Sequence, residues 1–234
     1  MPDLKNIVLP SSWNEWQILE ILGQGAFGAV YKAAKKYEGG NAPIYSAIKI
    51  IKIPENEAEY NDKLDELGSE KLADQYFQSV AESCTREIRL MDDLKGITNI
   101  VMVQDCQTEH VLGTAKWTIY IRMELLTGFN QYRRIHTIDE KEVIRMGIDI
   151  CNALEYCERI NVIHRDIKPE NILVSSLGDY KLGDFGVARK LEGVGSRLSV
   201  KVGTYEYMAP EVYRGGYYDK RADIYSLGLV MFRL

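Results

Sequence analysis

The stretch His164-Arg165-Asp166-Ile167-Lys168-Pro169-Glu170-Asn171, followed by Asp184-Phe185-Gly186, gathers the residue types that phosphoryl transfer requires. A carboxylate can take the proton of an attacking hydroxyl, a lysine can steady a moving phosphate, and an asparagine with a second aspartate offers hard oxygen donors to Mg²⁺. Each tripeptide alone is weak. Their weight comes from the other stretches that stand in order along the chain, and from the elements that must hold them.

The first of these is Gly23-Gln24-Gly25-Ala26-Phe27-Gly28-Ala29-Val30. A dinucleotide fold uses the same glycine spacing, but there the third glycine opens a helix, whereas Ala29-Val30-Tyr31 continues as a β-prone strand. A glycine hairpin is therefore expected, whose backbone amides approach phosphate oxygens with no Cβ in the way while Phe27 covers the tip. Trp16 to Lys52 reads as strand, glycine turn, strand, loop and strand, with Gly39-Gly40-Asn41 as punctuation. Alternation along Tyr45–Ile51 puts Ala47 and Lys49 on one face.

Residues 55–70 carry seven acids against one lysine, which reads as a solvated face with a docking surface as the alternative. Beyond Gly68, Leu72, Tyr76, Val80, Cys84, Ile88 and Met91 step by four and finally three, predicting one extended helix with that stripe buried. Asn99-Ile100-Val101 and strands near 101–105 and 116–124 are expected to complete the sheet. Thr137-Ile138-Asp139-Glu140 reads as a capping box opening a helix with Ile144, Ile148 and Cys151 in the core. Val162-Ile163 then forms a short strand that delivers His164.

The 234 residues, 46% of them hydrophobic, suffice for one domain or two packed lobes. A net charge of −5 argues against nucleic acid or an anionic membrane as the default partner, and no long apolar run or signal-peptide pattern is present. Cys84, Cys106, Cys151 and Cys157 form no CxxC pair and are expected to be buried, reduced thiols.

Taken in order, the glycine hairpin, Ala47-Ile48-Lys49, Arg86-Glu87-Ile88, His164 to Asn171, Asp184-Phe185-Gly186 and Ala209-Pro210-Glu211 resemble the eukaryotic-type serine/threonine protein kinase catalytic domain. The resemblance implies an α+β, two-lobed fold, with a small antiparallel sheet lobe carrying one regulatory helix (1–126), a mainly helical large lobe (127–234), one domain over 16–234, and ATP in the cleft. It implies transfer of the γ-phosphoryl of ATP, with Mg²⁺ or Mn²⁺, to serine or threonine hydroxyls of protein substrates. The alternative is a nucleotide-binding pseudokinase or scaffold without turnover.

By resemblance Asp166 is the base, Lys168 steadies the γ-phosphate, Glu87 holds Lys49 against the α- and β-phosphates, and Asn171 and Asp184 hold the metal. Leu22, Gly23, Gly25, Gly28, Val30, Ala47, Lys49, Met123, Glu124, Leu126 and Leu173 are the ATP-binding residues. Asn130 stands where many relatives place an acid near the ribose, a surface loop being the alternative. His164 is structural, packing with Phe185 and Met91. Arg165 and Arg189 form a pocket for a phosphate on Ser196 or, preferably, Ser199, and Thr204 bonds near Asp166 and Lys168. The gap between Lys49 and Glu87 is longer than in compact members. The large-lobe helices expected after Leu234 are missing, so Leu227, Leu229, Val230, Met231 and Phe232 are expected to lack partners and the chain reads as a fragment. Neither nucleic acid nor membrane is expected to touch this segment, and its location is expected to be cytoplasmic, free-standing or as the cytoplasmic domain of a longer membrane-anchored protein.

Overall fold

A β3 strand reading Ile44–Ile53, with Ser46, Ala47, Ile48, Ile50, Ile51 and Ile53 all buried, is apolar on both faces and so belongs in the middle of a covered sheet. In the computed structural model, which describes residues 4, 7–25, 28–36, 42–185, 189–190 (backbone only), 203–216 and 218–234, that is its position. The sheet runs antiparallel in the order β1 (Trp16–Gly25), β2 (Gly28–Lys35), β3, β5 (Trp117–Met123), β4 (Val103–His110). Contacts divide the chain into two units, one of residues 1–92 and 103–125, the other of 93–102 and 126–234.

Within the first unit, Trp13 is 3% exposed and packs with Ala33, Ile48, Ile50 and Tyr120. It lies in a single 3-10 turn, Ser11–Trp13, ahead of the first strand. Sequence reasoning assigned nothing to this turn.

The acidic stretch forms its own helix, α1 (Glu57–Leu67). The Asn56 side chain accepts from the Glu59 amide at 3.0 Å, and Gly68, left-handed at φ 67°, ends it. None of its residues is buried, as the solvated-face reading expects. The next helix, α2 (Glu70–Asp93), buries Ala73, Phe77, Ala81, Ile88 and Met91, whereas Leu72 and Tyr76 are 48% and 41% exposed. The expected stripe was thus one residue out in its first half. Steps of four advance the angle by about 40° beyond a full turn each time, so a run of them winds off any single face.

In the second unit, β6 (Thr127–Gly128), β8 (Ile172–Val174) and β9 (Tyr180–Leu182) form a small sheet, and β7 (Val162–Ile163) pairs with β10 (Arg189–Lys190). The helices are α3 (Phe129–Ile135), α4 (Glu140–Arg159), α5 (Pro210–Tyr213) and α6 (Arg221–Phe232). Residues 99–101 do not complete the five-stranded sheet. The Leu182 amide donates to Asn99 O at 2.8 Å and the Val101 amide to Leu182 O at 2.9 Å, which ties 93–102 to β9 instead. A lobe boundary at 126/127 therefore misses this excursion.

Helix α4 is capped by Asp139, not Thr137: the carboxylate accepts from the Glu142 amide at 2.9 Å. It buries Met146, Ile150, Ala153, Leu154 and Cys157, while Ile144 and Ile148 are 49% and 57% exposed and Cys151 is exposed. Two overlapping apolar stripes run along this helix, and the one that packs is set by the tertiary partners. Gly147 is where α4 meets α6, since a Cβ there would crowd the Met231 Sδ at 2.8 Å. Of the five side chains expected to lack partners, Leu227 and Val230 are buried, Leu229 and Met231 are half-buried, and Phe232 is 87% exposed. Helix α6 packs against α4 and against the turn Tyr205–Tyr207.

None of the four thiols is in a disulfide, but only Cys157 is buried, its pKa pushed up to about 12 by burial, with the Asp223 charge adding to it. Cys106 is exposed on the edge strand β4.

Candidate active site

In the second unit, β7 hands the chain to His164, whose ring is fully buried. Its Nε2 lies 2.9 Å from Gly183 O, and its Nδ1 receives the Asp166 amide at 3.3 Å, so the partners assign the proton to Nε2. Phe185 stands edge-on to the ring at 4.8 Å. The histidine is thus a buried spacer between two loops and not a base. Met91, grouped with it by resemblance, is buried in the first unit.

The turn after His164 is unusual in its backbone. Arg165 adopts φ 69°, a left-handed conformation that non-glycine residues rarely take. Asp223, 3% exposed on α6, fixes it: one carboxylate oxygen accepts the His164 amide and the other the Arg165 amide, each at 2.8 Å. Burial raises the pKa of Asp223, while the amides of His164 and Arg165 and the Arg165 charge act the other way.

Asp166 is the centre of the resulting loop. Its Oδ1 accepts from the Thr204 amide at 2.9 Å and the Thr204 hydroxyl at 2.8 Å. Its Oδ2 accepts from Asn171 Nδ2 at 3.1 Å and pairs with Lys168 Nζ at 2.7 Å. The same ammonium donates to Thr204 Oγ1 at 2.9 Å. Burial acts to raise the Asp166 pKa, but the bonds from Lys168 and Thr204, the Lys168 charge and the bond from Asn171 outweigh it and hold the carboxyl below its usual range. A proton acceptor that stays ionised beside a cation and a hydroxyl is what the arrangement offers.

Thr204 reaches Asp166 only because Gly203, at φ 114°, lets the chain pass against Arg165; a Cβ there would overlap the Arg165 carbonyl. Asn171 ends a 3-10 turn begun by Pro169 and also donates to Asp166 O at 2.8 Å. Its carbonyl receives the Gly183 amide at 2.9 Å, which links the turn to the strand end carrying Asp184. Asp184 itself sits at φ 53°. Asn171 and Asp184 supply an amide and a carboxylate oxygen. No cluster of three or more His, Cys, Asp or Glu suited to a metal occurs among the described residues. A sparse pair of hard oxygen donors fits Mg²⁺, which keeps several waters and binds substrate phosphates.

In the first unit, Lys49 on β3 stands opposite Val30 on β2 and Ile121 on β5. Burial raises the Cys84 thiol pKa, the Glu87 carboxylate adds to that and the Lys49 ammonium opposes it, so both charges lie within reach of one thiol on α2. Cys84 is the neighbour that sequence reasoning placed only in an apolar stripe. Ala47 pairs in register with Met123. Gly23 and Gly25 of β1 have nothing within 4 Å of where a Cβ would stand, leaving open space beside the backbone. Leu22 is 46% exposed, and Val30, Met123, Glu124, Leu126 and Leu173 are half-buried.

Asn130 lies in α3, not in a loop, and its amide donates to Glu170 Oε1 at 2.8 Å. Arg165 Nη1 donates to the Tyr218 hydroxyl at 3.3 Å. The backbone of Arg189 pairs with Ile163, two residues before Arg165. Ser196 and Ser199 lie outside the described residues, as do Phe27 and Gly186. No helix among the described residues is long and apolar enough to cross a membrane.

Comparison with known proteins agrees with this geometry. Residues 16–234 match the protein kinase domain family. The serine/threonine-protein kinase KIC1 of Saccharomyces cerevisiae is 33% identical over 218 residues, 92% of this chain and 17% of the relative. The Aurora/IPL1-related protein kinase 2 of Caenorhabditis elegans is 29% identical over 225 residues, covering 94% and 62%. The serine/threonine-protein kinase PknB of Mycolicibacterium smegmatis is 37% identical over 121 residues, covering 49% and 19%. The chain thus spans less than two thirds of the length of each of these relatives. With the family's match running over the hairpin, the catalytic loop and the Ala209-Pro210-Glu211 segment alike, this chain belongs to the protein kinase domain family.

Proposed function

We propose that the chain transfers the γ-phosphoryl group of ATP to serine or threonine hydroxyls of protein substrates. The observation that carries this reading is the Thr204 hydroxyl, which donates to Asp166 Oδ1 at 2.8 Å and accepts from Lys168 at 2.9 Å. An acceptor hydroxyl needs the same pair of neighbours, a carboxylate to take its proton and a cation beside the incoming phosphoryl. The hydroxyl oxygen bonds to phosphorus as the bond to the ADP oxygen breaks, and the proton passes to Asp166.

The remaining assignments follow the family. Asn171 and Asp184 hold Mg²⁺, which when bound neutralises phosphate oxygens, and Mn²⁺ has the same oxygen preference. Lys49, held by Glu87, pairs with the α- and β-phosphates. Leu22, Gly23, Gly25, Gly28, Val30, Ala47, Met123, Glu124, Leu126 and Leu173 take the nucleotide. A phosphate on Ser199 or Ser196 meets Arg165 and Arg189, adding about −1.5 to −2 charges that charge-assisted bonds then order.

The test is incubation of the chain with γ-labelled ATP, Mg²⁺ and a generic basic protein, followed by phosphoamino-acid analysis. Labelled phosphoserine or phosphothreonine is expected. Nucleotide binding with no transfer to any protein or to the chain itself would instead support a scaffold.

A further inference from the structure

The face of the five-stranded sheet that carries Trp13 also holds a polar chain running across three strands. Trp13 Nε1 donates to Asp105 Oδ2 at 2.8 Å. That carboxylate lies 3.9 Å from Arg122 Nη2, and Arg122 Nη1 donates to Gln104 Oε1 at 2.7 Å. The same Gln104 oxygen accepts the Ser46 hydroxyl at 2.9 Å, and Ser46 is 1% exposed. β4 is irregular at this point, with a register shift between Val103 and Asp105 that turns Gln104 toward its neighbours. The Arg122 guanidinium lies over the Trp13 and Trp16 rings, at 5.8 Å and 4.9 Å from their centroids. Its Nε is buried with no partner among the described residues, so the indoles, Asp105 and Gln104 orient it.

Two members of this chain stand beside nucleotide positions. Ser46 directly precedes Ala47, Arg122 directly precedes Met123, and Ala47 and Met123 are partners in the β3–β5 register. Because successive side chains on a strand point to opposite faces, the polar chain grips one face at the point where Ala47 and Met123 present the other. Trp13 closes it from outside the family-matched region, which begins at residue 16.

We infer that Trp13, acting through Asp105, Arg122 and Gln104, is a positioning residue for the nucleotide, fixing the Ala47–Met123 pair that meets the adenine. The inference rests on the nucleotide reading of those two residues. Trp13, Arg122 and Ser46 share the two acceptors Asp105 and Gln104, so removing one donor or acceptor frees the others to shift.

Trp13→Phe keeps an aromatic ring against Tyr120, which it meets edge-on at 6.3 Å, and removes the Nε1 donor together with the second ring of the indole. Gln104→Ala removes the acceptor shared by Ser46 and Arg122. In calorimetric titration of the full chain with Mg-ATP, each variant is expected to weaken binding about 3- to 30-fold, with the KM for a peptide acceptor unchanged. Phe77→Leu, which opens a cavity at a buried site on α2, is the control. It lowers the melting temperature and leaves ATP affinity alone. Variants that bind ATP as tightly as wild type overturn the inference, as does a loss of affinity that merely follows melting temperature across all three. Should Trp13→Phe fail to fold, Gln104→Ala decides by the same criterion. A wild-type chain that binds no ATP overturns the nucleotide reading itself, an outcome distinct from equal affinities.

Discussion

Replacing Asp223 by alanine tests how the catalytic loop is held. Its carboxylate is the acceptor for the buried amide of His164 and the partly buried amide of Arg165, at 2.8 Å each. A buried donor left unmatched costs about 1–3 kcal/mol, so two cost about 2–6 kcal/mol. Relief of a buried carboxylate offsets part of that, since burial disfavours its ionised form enough to raise the pKa. We expect a net loss of about 2–4 kcal/mol, a large share of a typical ~5–15 kcal/mol stability. Asp223→Asn keeps one acceptor and turns an NH₂ toward the other amide, so it should lose about half as much. Arg165 at φ 69° is left with less to hold it, and turnover should fall with stability. Urea unfolding should show the midpoint of Asp223→Ala lowered by on the order of 1 M. The pH dependence carries a sign as well. A carboxyl whose folded pKa is raised gives the folded state more bound protons than the unfolded one between the two pKa values. Its cost is therefore full above the folded pKa and fades as pH falls toward the unfolded value of about 3.9. That contribution should vanish in Asp223→Asn. An Asp223→Ala midpoint within ~0.2 M of wild type would refute the reasoning.

Gly203→Ala should cost about 1–3 kcal/mol or more and most of the activity, because its Cβ overlaps the Arg165 carbonyl at a φ that L-residues avoid; thermal melts with peptide assays would check it. Asp184→Asn should raise the Mg²⁺ needed for half-maximal ATP binding by more than the ~10–100-fold typical of losing an outer-shell partner, measured by metal titration. Lys168→Ala should lower turnover by about 10²–10³-fold and move the acid limb of the pH–rate profile upward. Lys168 helps keep the Asp166 carboxyl below its usual range, and activity is lost as pH falls through that pKa. A profile whose acid limb stays put would mean that Asp166 is not the titrating base.

The glycine hairpin and the loop His164–Asn171 were legible because their residues answer to local demands. Glycine permits close approach of backbone, and Asp, Lys and Asn within a short loop reach one another whatever else the fold does. The helix faces were less legible. On α4 the stripe Ile144-Ile148-Cys151 and the stripe Met146-Ile150-Ala153 are both apolar, and only packing partners distant in sequence choose between them. The destination of Asn99–Val101 was hidden for a related reason, since a β-prone segment says nothing of which edge it joins. Thr137 and Asp139 are both good caps, and the helix starts at the second. Trp13 carried no local signal at all. Its burial follows from a sheet face that needs a large apolar cover and from a carboxylate on β4 placed to take the indole N–H.

The most direct measurement is transfer of labelled γ-phosphate to a serine- or threonine-containing peptide by wild-type chain and Asp166→Asn, with ATP binding measured on the same samples. Asn keeps the size of Asp166 and its bond from Thr204 but cannot take a proton. The account predicts unchanged nucleotide affinity and a transfer rate lower by about 10²–10⁴-fold; an Asp166→Asn protein that transfers phosphate at the wild-type rate would contradict it.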